Sequence, residues 1–335
     1  MAENQSHILD RLRHDGRVSP QAVSRPLAGG ISSDVFLIED RGERFVVKQA
    51  LPCLKVQDHW PADTARNRVE YEFLRYLSRV LPEAAPKVVA SGTDYFIMEY
   101  LGSEYESWKT LLLRGDCQKQ HAVQAGKILG TLHRTSSSAP ELASFFDTTS
   151  NFHQLRTDPY LLTTGRRHSA LQHVFEQEAL RLEATRECLV HGDYSPKNML
   201  VGKERIVLLD CEVAWYGDPT FDLAFLINHL LLKSLFHAPQ TTELQPMIES
   251  FVAKYYEERA VDLAHRKDLD SRIAHLLLML MLARIDGKSP VEYLTEEHKQ
   301  DFVRNFVYSR LRARKFELDQ VVREWFSSLH CQFRK

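Results

Sequence analysis

The chain has 335 residues, 44% hydrophobic and 26% charged, which supports a buried core and excludes disordered, collagenous and disulfide-scaffold classes. Its 43 basic side chains against 45 acidic ones give a net charge of −2, so no overall basic field recruits nucleic acid or an anionic membrane. The five cysteines are an odd number with no C-x-x-C pair, which fits neither a disulfide framework nor a zinc site and suits a reducing cytoplasm.

Residues 1 to 16 mix Glu, Asp, Arg and His without an apolar run, unlike a signal or transit peptide. From Arg17 to about Leu101 the pattern predicts strands with one helix, and from there to Lys335 mostly helices. The sketch is α+β and two-lobed, with boundaries at 1–101 and 102–335. A hairpin is expected from Ser24–Ile38 and Arg44–Gln49, its apolar runs Asp34–Ile38 and Arg44–Lys48 joined by a polar turn over 39–43, with Gly29-Gly30 at its head. Over 66–81 a helix carries Val69, Phe73, Tyr76, Leu77 and Val80 on one stripe. At helical spacing Glu70 falls about 45° from the stripe's centre and Glu72 about 115° away. Glu70 therefore faces inward, where a carboxylate needs a cation or a set of donors, and Glu72 is solvated.

Two further strands are expected around the turn 91–94, then an amphipathic helix over 122–133 with Ala122, Ala125, Leu129 and Leu132 on one face. The apolar stretches 223–236 and 275–283 are too short to cross a bilayer and read as buried helices.

The sharpest signal is Leu189-Val190-His191-Gly192-Asp193-Tyr194-Ser195-Pro196-Lys197-Asn198-Met199-Leu200-Val201, followed by Ile206-Val207-Leu208-Leu209-Asp210-Cys211-Glu212. Two short apolar strands bracket a loop rich in ionisable groups. An Asp, an Asn five residues later, and a second Asp after an apolar strand match what phosphoryl transfer from Mg-ATP requires. Asp193 would accept or orient the proton of the acceptor hydroxyl. Asn198 and Asp210 offer the hard oxygen donors that magnesium prefers.

In these motifs the chain resembles the aminoglycoside phosphotransferase and choline kinase family. The resemblance implies a protein-kinase-like fold with a small antiparallel β N-lobe that binds nucleotide and a larger, mainly helical C-lobe that holds the catalytic loop and the acceptor. Within that group, Val47-Lys48-Gln49-Ala50-Leu51-Pro52 with Trp60-Pro61, and Asp210 through Gly217 ending at Phe221-Asp222, are similar to the methylthioribose kinases. The catalytic loop departs from them: they carry Leu-His-Thr-Gly-Ser after the Asp, and this chain carries Tyr194-Ser195-Pro196-Lys197-Asn198. The departure bears on the substrate and leaves the chemistry unchanged.

The resemblance implies that Lys48 contacts the α and β phosphates and pairs with Glu70, the acid that periodicity alone turns inward. It further implies that Gly29, Gly30 and Ser32 form the turn over the phosphates, and that backbone groups of Met98, Glu99 and Tyr100 read the adenine. Lys197 would steady the transferring phosphoryl group. Glu212 would serve as a second metal ligand or bind acceptor hydroxyls, and Asp222 would cap its helix, brace the catalytic loop, or both. His133 reads as structural. Arg284 to Lys288 reads foremost as a helix end with flanking cations, and otherwise as part of the acceptor site; Arg167 is a weaker candidate of the same kind.

The expected function is an ATP- and Mg2+-dependent kinase acting on a hydroxyl of a small metabolite, in the manner of methylthioribose kinase, as a cytoplasmic monomer or homodimer without nucleic-acid or membrane partners. An aminoglycoside kinase is the alternative, set lower because the helical lobe shows no acidic run for a polycation. A binding-only pseudokinase is opposed by the intact set Lys48, Asp193, Asn198 and Asp210.

Overall fold

A computed structural model describes residues 2–27, 32–51, 53, 63–239, 243–311 and 317–333 of the chain. Gly29, Gly30, Pro52 and Trp60-Pro61 lie outside the described residues. The fold is α+β, and the chain divides into two compact units, Met1–Tyr105 with Val207–Glu212, and Glu106–Ile206 with Val213–Lys335.

The first unit is built on five strands: β1 (Val23–Pro26), β2 (Ser33–Asp40), β3 (Glu43–Ala50), β4 (Val88–Ser91) and β5 (Tyr95–Glu99), in the antiparallel order β1-β2-β3-β5-β4. The β2–β3 turn is tighter than the sequence suggested. Only Arg41 and Gly42 form it, both at positive φ (52° and 86°), the backbone twist that two-residue hairpins favour.

Side-chain alternation divides the sheet's faces. Phe36, Ile38, Val47, Tyr95 and Ile97 pack with Ile8 and Leu12 of helix α1 (Ala2–His14). Lys48 and its cross-strand partner Phe96 point the other way, and Phe96 meets Tyr71 of helix α2 (Arg66–Val80), with ring centres 6.2 Å apart. Lys48 therefore faces α2 because the residues on either side of it are committed elsewhere.

In the second unit the helices Lys119–Ser136 and Leu244–Arg259 pack backbone to backbone at Gly126 and Gly130. A Cβ at Gly126 would stand 2.5 Å from the Phe251 carbonyl oxygen, and one at Gly130 would stand 2.6 Å from that of Tyr255. The helix Thr220–Phe236 is buried on every side over nearly its whole length, and Leu263–Asp286 over its second half. The strand Cys188–Val190 pairs antiparallel with Trp215–Gly217, and Met199–Val201 pairs with Glu106–Ser107, so the loop between them is pinned at both ends. Among the described residues no helix is long and apolar enough to cross a membrane.

Gly126→Ala tests the close helix pair. Alanine's helix propensity favours the variant by about 1 kcal/mol, whereas forcing the helices apart costs about 1–3 kcal/mol. A lower urea midpoint than wild type is expected, and a raised midpoint would contradict the contact.

Candidate active site

In the first unit, Lys48 is buried in β3 at 5% exposure with its Nζ 2.8 Å and 2.7 Å from the two Glu70 carboxylate oxygens and 2.6 Å from Asp210 Oδ1. The Val207–Glu212 segment brings Asp210 into this unit, with its backbone at φ 61°, a conformation that non-glycine residues seldom adopt and that recurs at functional sites. Arg66, opening α2 one turn before Glu70, is buried as well. Its Nε lies 3.1 Å from Glu212 Oε2, and its Nη2 donates to the carbonyls of Ser32 and Leu51. Ser33 Oγ stands 3.5 Å from the same Glu212 oxygen.

Burial would draw the Lys48 pKa down, but Asp210 and Glu70 overcome it and hold the ammonium well above its usual range. Burial raises Glu70 to about 7, with Asp210 and Glu212 adding to the rise against the pull of Lys48. Carboxylate oxygens of Glu70, Asp210 and Glu212 lie within 4.8 Å of one another. Three carboxylates share two buried cations here, an excess of negative charge on hard oxygen donors that suits a divalent cation.

The other nucleotide-side candidates are less constrained by side chains. The Ser32 side chain is buried and its carbonyl accepts from Leu51 N–H and Arg66. Met98 is buried on the sheet, the Glu99 carboxylate accepts from Lys87 N–H at 2.9 Å, and Arg44 stacks 5.0 Å over the Tyr100 ring.

In the second unit the loop after Cys188–Val190 is fixed by Asp222. This fully buried carboxylate accepts from the backbone amides of His191 (2.7 Å) and Gly192 (3.0 Å). The cap residue of its helix is Pro219, so among the roles proposed from sequence it is the bracing one that the contacts display. His133, wholly buried between Tyr255 Oη at 3.1 Å and Asp222 Oδ2 at 3.4 Å, supports that carboxylate from behind. Gly192 takes φ 78°, and a Cβ there would stand 2.5 Å from the Val213 carbonyl oxygen, so the turn admits only glycine without a shift.

That turn delivers Asp193, 5% exposed, into a cavity. Its Oδ2 lies 3.0 Å from Lys197 Nζ and 3.0 Å from Arg156 Nη2. Burial would push the Asp193 pKa up, but Lys197 and Arg156 reverse this and hold the carboxyl far below the usual carboxylate range. The Asn198 amide nitrogen donates to the Asp193 carbonyl at 3.0 Å, which leaves its oxygen as the group a metal can take. Lys48, Glu70, Asp210 and Glu212 thus gather in the first unit, and Asp193, Lys197 and Asn198 in the second.

Sequence reasoning missed Arg156. It sits on His153–Leu162, a stretch with the wider π-helical bonding pattern and Pro159 inside it, where no α-periodic signal exists to read. It also missed Arg66, although the spacing of Arg66 and Glu70 at i and i+4 puts both on one helix face. Arg284 ends its helix ahead of Gly287, as expected, yet is buried and lines the Asp193 cavity. Arg167 instead donates to the carbonyls of Asp286 and Gly287 and closes that helix end. Lys233, 1% exposed on the same cavity, carried no mark in the sequence beyond its place on an apolar helix.

The profile of the phosphotransferase enzyme family matches residues 23–260. The methylthioribose kinase of Pectobacterium atrosepticum is 29% identical over 263 residues, 67% of this chain and 64% of that protein. The methylthioribose kinase of Bacillus velezensis is 27% identical over 63% of this chain and 61% of that protein. The matched stretch is thus somewhat under two thirds of these relatives' length. Among solved structures, the choline kinase of Cryptosporidium parvum superposes with a TM-score of 0.56 at 15% identity, covering 97% of this chain and 99% of that one, and so shares the kinase-like two-lobed fold.

Lys233 supplies a pH test of the cavity's charge. Burial, with Lys109 and Arg284 nearby and Glu292 opposing them, lowers its pKa from 10.5 to about 7. Between those values the unfolded chain binds the proton and the folded chain does not, so this group lets stability rise with pH across that window. Lys233→Met should melt above wild type at pH 7 and below, with the difference closing towards pH 10. A difference independent of pH would contradict the buried ammonium.

Proposed function

The chain belongs to the phosphotransferase enzyme family, and we propose that it is an ATP-dependent small-molecule kinase that transfers the γ-phosphoryl group to a hydroxyl of a small metabolite, in the manner of methylthioribose kinase. The observation that carries this reading is the Lys48 ammonium held at once by Glu70 and Asp210, a lysine fixed by an acid on the neighbouring helix and by the acid that closes an apolar strand. Its charge and fixed position suit the α and β phosphates of a nucleotide.

Asp210, with Glu212 a further donor, would hold magnesium, which when bound would supply charge neutralisation along the phosphates; Asn198 is proposed as a ligand from its place five residues after Asp193. Glu70 keeps Lys48 in place and ionised. Asp193 accepts a hydrogen bond from the acceptor hydroxyl and aligns its oxygen. Because Lys197 and Arg156 hold Asp193 strongly acidic, its first task is orientation, and the proton follows late, as a loose transition state allows. Lys197 lies at the same oxygen and meets charge developing on the transferred group. The nucleotide base would be read by backbone at Met98 to Tyr100, with Ser32 at the phosphates. The buried thiols of Cys188 and Cys211 suit a reducing, cytoplasmic setting.

Two variants separate binding from transfer. Asp193→Asn should lower turnover by about 10²- to 10⁴-fold while Mg-ATP affinity measured by calorimetry stays at the wild-type value. Asp210→Ala should weaken Mg-ATP by about tenfold or more, the loss of a charge-assisted contact. Wild-type Mg-ATP affinity and turnover in Asp210→Ala would overturn the metal assignment.

A further inference from the structure

On the kinase reading, we infer that the acceptor carries an anionic group, a carboxylate or a phosphate, seated against Lys233 and Arg284 in the cavity that Asp193 enters. Three features of the second unit carry this.

First, both cations are buried and, among the described residues, neither forms an ion pair with a carboxylate. Among the described residues Lys233 forms no ion pair, and its Nζ has only the Tyr293 hydroxyl at 3.4 Å and the face of that ring at 4.8 Å. The Arg284 guanidinium, 9% exposed, bonds through Nη1 to Tyr160 Oη (3.3 Å) and Ser289, and its Nε is buried with no acceptor. Keeping charges in an aromatic-walled pocket without a counter-ion is costly unless something else supplies one.

Second, the charges nearby do not supply it. The cavity's other carboxylates are Asp193, already shared by Lys197 and Arg156, and Glu292, which pairs with Lys109. Four cationic side chains line the cavity against these two acids.

Third, the cations line the same cavity as the reacting group. Lys233 follows Phe225 and His229 at intervals of four along one helix face, and all three line the cavity with Asp193 and Arg284. A hydroxyl presented to Asp193 and an anion held by Lys233 and Arg284 would occupy one pocket. A polycationic or quaternary-ammonium acceptor would meet like charge there.

Thermal melting of the full chain tests this at constant ionic strength, comparing inorganic phosphate and malonate with chloride at a pH just below 7. In wild type, one or both anions should raise the melting temperature beyond the general salting effect. Lys233→Met and Arg284→Gln should each abolish that excess, an affinity loss of about tenfold or more. Lys233→Met removes an isolated buried charge, so without anion it should melt no lower than wild type. Response to malonate alone would indicate hydroxy acids as acceptors, and response to phosphate alone would indicate phosphorylated alcohols. No excess in wild type, or the same excess in Lys233→Met, would overturn the anionic acceptor. Mg-ATP is titrated in parallel: binding of Mg-ATP without an anion effect refutes this inference only, whereas no Mg-ATP binding refutes the kinase reading itself.

Discussion

Asp222 is the constraint on which the second unit's chemistry depends. A carboxylate with no exposure to water must be compensated where it lies, and the two successive amides of His191 and Gly192 do so, each a charge-assisted bond of about 1.5–3 kcal/mol. The compensation runs both ways: the acid is tolerated, and the backbone before Asp193 has one conformation available. Gly192 then turns at positive φ against Val213, and Asp193 is directed into the cavity with its position set before any ligand arrives. His133 and Tyr255 behind Asp222 extend the same bracing into the closely packed helix pair.

The two units carry opposite local imbalances of charge. Around Lys48 and Arg66 there are three carboxylates for two buried cations, whereas the cavity at Asp193 is lined by more cations than acids. Neither imbalance serves stability, since a buried charge without its partner is a cost. Each is compatible with a ligand of the opposite sign: a divalent cation for the first, and anionic groups for the second. The very low pKa of Asp193 belongs to the same pattern, because Lys197 and Arg156 stabilise its ionised form even as burial opposes it.

Much of this was legible from the sequence where the signal is local. The strands β2 to β5 and helix α2 follow from alternation and from the 3.6-residue stripe, and the same stripe turned Glu70 inward without reference to any relative. The loop from His191 to Asn198 stood out because apolar strands on either side isolate its ionisable residues. What stayed hidden depends on distant partners. Helix α1 has few apolar residues and is anchored by Ile8 and Leu12 completing the sheet's core. Val207–Glu212 returns to a unit that otherwise ends about a hundred residues earlier, which no linear boundary expresses. Arg156 comes from a helix of irregular winding, and Lys233 is a lone cation on an apolar helix whose environment is set by Tyr293 and Arg284.

The most direct measurement is acceptor-dependent ADP release from Mg-ATP across methylthioribose, other pentoses and hexoses, their hydroxy-acid and phosphorylated counterparts, choline and aminoglycosides. Release with a hydroxyl acceptor, accompanied by a product one phosphoryl group heavier, is the expected result. Tight Mg-ATP binding with no release for any member of the panel would contradict phosphoryl transfer as the chemistry of this site.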